Sequence, residues 1–67
     1  MAMIIVNGQE TVLGRINTLQ DFLDKEGYAD GRVAVEKNGC IVPRAEFGIE
    51  PLIDGDMLEI VAFIGGG

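Results

Sequence analysis

Short apolar runs broken by glycine-bearing dipeptides set the pattern of this chain. Met3-Ile4-Ile5-Val6 reads as a strand and stops at Asn7-Gly8. Asn-Gly accepts the positive φ angles of a two-residue turn, so it predicts a hairpin. Glu10-Thr11-Val12-Leu13 is the return strand, ended by Gly14. The period then changes. Leu19, Phe22 and Leu23 fall at i, i+3 and i+4, which gives a helix one apolar face. Thr18 is the expected N-cap, and Asp21 at the third helical position suits the helix dipole. Gly27 closes the helix, and Tyr28 follows as a packing contact. Val33-Ala34-Val35 begins a third strand, and a second Asn-Gly, at 38–39, turns it into Cys40-Ile41-Val42, ended by Pro43. Residues 45–53 carry no clear period and allow one helical turn. Asp54-Gly55-Asp56 is a tight turn. Residues 57–63 form the last strand, which runs into Gly65-Gly66-Gly67.

A hairpin, a helix, a second hairpin and a final strand in 67 residues predict an α+β fold. The expected arrangement is a β-grasp: a mixed sheet of four to five strands with one main helix packed on one face. Its first and last strands lie side by side in the centre. The chain reads as a single domain, 1–67, with a flexible tail at 64–67. One covered face leaves the other open, and strand alternation assigns the side chains. Leu58, Ile60 and Ala62 should face the helix, with Ile4 and Val6. Met57, Val61 and Phe63 should share the open face with Glu59, beside Met3 and Ile5. Five exposed apolar side chains on adjacent strands suit a protein interface. The alternative is that residues 45–53 fold over them.

Composition narrows the chemistry. A chain this short buries roughly 60% of the surface its unfolded form exposes. It has one cysteine and no histidine, so neither a disulfide within the chain nor a histidine-bearing metal site can staple it. The net charge of −6, spread over eleven acids, disfavours nucleic acid and anionic membranes and favours a basic groove on another protein. Cys40 has no neighbouring histidine or CxxC partner and reads as a small strand residue; a lone thiol fits a reducing compartment. No run approaches the ~20 apolar residues of a membrane span, and residues 1–6 are too short for a secretory signal. The expected place of work is the cytoplasm. There is no serine, no phosphate-binding glycine loop and no carboxylate spacing suited to a metal. The chain is expected to bind no cofactor or metal, and to be acted upon rather than to be an enzyme.

The terminal glycines supply what could be acted upon. Glycine has no Cβ, so such a tail enters a slot too narrow for other residues. The Gly67 carboxylate is a poor acyl donor until adenylation supplies AMP as a leaving group. A sulfur nucleophile can then attack, giving a thioester, an acyl persulfide or, after reduction, a thiocarboxylate, the last largely ionised near neutral pH. Extended, residues 64–67 reach about 10–14 Å, enough to deliver the terminus into a buried site.

The residues resemble those of the bacterial sulfur carriers of thiamine biosynthesis, the ThiS family of ubiquitin-like β-grasp proteins. The likeness covers nearly the whole chain. It rests on Ile4-Ile5-Val6-Asn7-Gly8, on Thr18-Leu19 leading Phe22-Leu23, and on Val33-Ala34-Val35. It rests most on Asn38-Gly39-Cys40-Ile41-Val42-Pro43-Arg44 with Phe47 three residues on, then on Asp54-Gly55-Asp56 and the terminal glycines. Glu36-Lys37 lengthen the third-strand hairpin relative to the shorter family pattern. The resemblance implies that Gly67 is adenylated by a ThiF-like enzyme that consumes ATP. Sulfur derived from cysteine through a desulfurase would give the thiocarboxylate, and a ThiG-like thiazole synthase would accept it. Ile64, Gly65 and Gly66 would thread the partner's slot, and Met57, Val61, Phe63, Met3 and Ile5 would form the docking face. Other readings remain: the small subunit of molybdopterin synthase, a carrier for cysteine or homocysteine synthesis, and, from a different class, a β-grasp interaction module or protein modifier.

Overall fold

The computed structural model describes residues 1–28 and 32–63, and both Asn-Gly dipeptides make hairpin turns in it. Asn7 and Gly8 take φ of 50° and 86°, and Asn38 and Gly39 take 52° and 85°. These paired left-handed values match the right-handed twist of the strands they join. The first turn links β1 (Met3–Val6) to β2 (Gln9–Val12), and the second links β3 (Val33–Lys37) to β4 (Cys40–Ile41). Between the hairpins lies α1 (Leu19–Glu26); a 3-10 turn (Arg44–Glu46) and β5 (Met57–Ala62) complete the order. The sheet runs β2-β1-β5-β3-β4. β5 lies parallel to β1 and antiparallel to β3, so the first and last strands meet in the centre as expected.

The helix ends where its sequence directs. Thr18 Oγ1 accepts from the Asp21 amide at 3.2 Å. At the other end Gly27 takes φ of 81°, and the Tyr28 amide donates back to the Leu23 carbonyl at 3.0 Å. This is the glycine-closed helix end that the sequence proposes. Leu19, Phe22 and Leu23 bury one face against Ile4, Leu58, Ile60, Val33 and Val35 from the sheet. Each such side chain contributes about 1.5–3 kcal/mol on burial.

Residues 45–53 do not cover the open face. They pack at the start of the helix, where Phe47 and Leu52 enter the core. The Leu19 amide donates to the Glu50 carbonyl and the Gln20 amide to the Phe47 carbonyl, both at 2.9 Å. A helix leaves its first amides without partners of its own, and this segment supplies two of them. Lys37 holds the segment from the sheet side. Its ammonium donates to the Pro51 carbonyl at 2.8 Å and pairs with Glu50 at 2.7 Å. Buried Asp56 accepts from the Ile53 amide and from the Asn38 side chain, both at 2.9 Å. Asp54 accepts from the Met3 amide at 2.8 Å. Both acids of the turn are therefore engaged in fixing backbone.

Several strand ends and one core assignment differ from the sequence expectation; β2, β4 and β5 each stop one residue early, at Val12, Ile41 and Ala62. β2 begins at Gln9 rather than Glu10, because the two-residue turn frees it to pair with Val6. β3 runs on to Lys37, since Glu36 and Lys37 pair with both β4 and β5. Ala62 shares the parity of buried Leu58 and Ile60 but is exposed, one correction to the assigned core. Its strand partner, Val33, is the first residue of β3.

Candidate partner-docking face

Pairing register defines the open face more fully than the alternation of one strand does. Met57, Val61 and Phe63 are 54%, 57% and 57% exposed. Met3 and Ile5, on the neighbouring strand, are half-buried. Ile5 pairs with Met57, so the two strands place these residues side by side. The register adds Val12 opposite Met3, Ala34 opposite Val61, and Ile41 opposite Glu36. Ile41 is 76% exposed. Acidic side chains share the face: Glu10 opposite Ile5, and Glu36 opposite Glu59. Single-strand alternation found Glu59 but missed Val12, Ala34, Ile41, Glu10 and Glu36. For Glu10, Val12 and Ile41 the signal was the two-residue Asn-Gly turn, which fixes hairpin register, whereas Ala34 and Glu36 are placed by the pairing of β3 with β5.

The exit of β5 is tied on both sides. β1 ends at Val6, so no backbone of that strand remains to pair with Ile60. The Asn7 side chain takes its place. The Ile60 amide donates to Asn7 Oδ1 at 2.7 Å, and Asn7 Nδ2 donates to the Ile60 carbonyl at 3.1 Å. On the β3 side the Phe63 amide donates to the Arg32 carbonyl at 2.8 Å. Asn38 acts in the same way at the strand's start, accepting from the Met57 amide at 2.9 Å. Sequence reasoning assigned both asparagines to turns and missed their side-chain role.

Ile64, Gly65, Gly66 and Gly67, the expected threading and attachment residues, lie outside the described residues. Cys40 is an exposed free thiol on edge strand β4, where it pairs with Lys37. Among the described residues no group of three or more His, Cys, Asp or Glu side chains is gathered for a metal. No described helix is long and apolar enough to cross a membrane.

Among the described residues, a five-stranded mixed sheet with β1 and β5 parallel at its centre and one α-helix on one face defines a ubiquitin-like β-grasp protein. Residues 2–67 match the ThiS family model, and the chain belongs to the ThiS family. The crystal structure of the thiamine biosynthesis protein ThiS from Geobacter metallireducens is similar, with a TM-score of 0.79 and 29% identity. That match covers 97% of this chain and 99% of the other. A thiazole synthase of Paramagnetospirillum magneticum is 42% identical over 64 residues, 96% of this chain but 20% of that protein. A thiazole synthase of Magnetococcus marinus is 39% identical over the same length, again 20% of the whole. The chain thus spans about a fifth of these two relatives. The uncharacterised protein ycf40 of Pyropia yezoensis is 34% identical, with 96% of this chain and 90% of that protein covered.

Proposed function

We propose that the chain carries sulfur for synthesis of the thiamine thiazole, as a co-substrate rather than a catalyst, in the cytoplasm. The observation that carries this reading is the family match, which runs through residue 67 and so takes in all three terminal glycines. In the first step the Gly67 carboxylate attacks the α-phosphorus of ATP. Pyrophosphate leaves and an acyl adenylate forms. A persulfide sulfur derived from cysteine then attacks the acyl carbon and expels AMP. A thiol cleaves the resulting sulfur–sulfur bond, leaving the thiocarboxylate on Gly67 and a disulfide between the thiol and the former persulfide carrier. The thiocarboxylate passes its sulfur to a thiazole synthase. ATP is held by the ThiF-like activating enzyme, and the carrier supplies the acyl group.

The fold supports the delivery step. The open face of β5 leads directly toward the tail, so docking through Met57, Val61 and Phe63, with Met3 and Ile5 beside them, aims Gly67 at a partner's active site. Ile64, Gly65 and Gly66 then cross the partner's slot. The test is pyrophosphate exchange into ATP by a ThiF-like enzyme. Exchange should require this chain and should vanish when Gly67 is removed or the terminus extended. Exchange that survives either change contradicts the reading.

A further inference from the structure

Two glutamates stand directly opposite each other on the open face. Glu36 of β3 and Glu59 of β5 are register partners, and both are exposed. Like charges placed opposite across a strand pair oppose folding. Lys37, the cation next to Glu36 in sequence, is turned to the other face, where it holds Glu50 and the Pro51 carbonyl. Beside the two carboxylates lies a shallow apolar depression lined by Ala34, Ile41 and Val61. Ile41 and Val61 are 76% and 57% exposed, large apolar side chains left without cover. The depression is continuous with the docking face, through Val61.

We infer that this acid-rimmed depression receives one arginine side chain of the activating enzyme, its stem on Ile41 and Val61 and its guanidinium between Glu36 and Glu59. The inference rests on the carrier reading and names the partner chemistry at its docking face. An arginine fits for two reasons. Its aliphatic stem covers apolar surface while its head stays polar. Its planar fork of donors bridges two carboxylates, which a lysine ammonium does less well. The net charge of −6 draws the same basic partner from a distance. Activation comes before any sulfur transfer, so the adenylating enzyme is the partner that must recognise the unmodified carrier.

The test measures affinity for a ThiF-like adenylating enzyme by calorimetry, with a thermal melt of each carrier. Glu36→Gln/Glu59→Gln should weaken binding about 30-fold or more, the loss typical of a desolvated charge pair. Its melting temperature should equal or exceed that of the unsubstituted chain, because the facing charges are gone. Asp24→Asn/Glu26→Gln on the helix removes the same charge from the other side and should change affinity by less than about threefold. Unchanged binding by Glu36→Gln/Glu59→Gln overturns the inference. So does an equal loss from the helix variant, which makes the effect one of net charge alone. If the unsubstituted chain neither binds nor is adenylated, the carrier reading itself fails, and the inference falls with it.

Discussion

Replacing Asn7 by glycine should destabilise the fold by about 2 kcal/mol, because one side chain stands in for a missing stretch of β1. The Ile60 amide and carbonyl both point toward β1, as the Leu58 carbonyl does when it accepts from the Asn7 amide at 2.9 Å. Both groups of Ile60 are held by the Asn7 side chain, and Ile60 is only 6% exposed. Each hydrogen bond is worth about 1 kcal/mol net, and more where the group left behind stays dry. Glycine keeps the left-handed φ of 50° that the turn needs, so the substitution removes the bonds without forcing the backbone. Its greater freedom in the unfolded chain opposes the relief of that φ, and the two effects partly cancel. For a domain of this size about 2 kcal/mol lowers the melting temperature by roughly 8–16 °C. Asn7→Asp sharpens the test. It keeps an acceptor for the Ile60 amide but turns a carboxylate oxygen toward the Ile60 carbonyl. That repulsion raises the folded-state pKa of the introduced carboxyl above its unfolded value. The deficit should therefore be full near neutral pH and shrink as pH falls through the carboxylate range, near 4 or above. Thermal melts at neutral and acid pH read both effects. A glycine variant melting within about 2 °C of the unsubstituted chain refutes the account of the β5 exit.

Phe63→Ala should weaken binding to the activating enzyme roughly 30-fold, since a buried aromatic anchor is worth about 2 kcal/mol or more. Its melt should barely move, because Phe63 is 57% exposed; a collapsed melt with unchanged affinity would show it to be core. Gly66→Ala should fold normally yet be adenylated poorly, because one methyl blocks a slot shaped for bare backbone; unimpaired pyrophosphate exchange contradicts this. Cys40→Ser should still accept sulfur on Gly67 and pass it on; a folded variant that fails in transfer would show that the exposed thiol takes part.

The two Asn-Gly turns, the Thr18 and Gly27 helix ends and the alternation of β5 were readable because each depends on local chemistry. They carried the α+β class and the central pairing of β1 with β5. The segment 45–53 was not readable, since its carbonyls cap a helix far away in sequence and its apolar residues keep no period. Asn7 and Asn38 look the same in sequence whether their side chains face water or stitch a neighbouring strand. The half of the open face contributed by Val12, Ala34 and Ile41 depends on register between strands. Ala62 was misplaced because alternation gives the direction of a side chain and says nothing of how far the core extends.

Intact-mass analysis of the carrier, incubated with ATP, a ThiF-like enzyme and a cysteine-derived sulfur source, tests the central claim most directly. The account predicts a gain equal to the replacement of one oxygen by one sulfur, confined to the peptide that ends in Gly67 and absent without ATP. An unchanged mass, or sulfur found on Cys40 instead, contradicts it.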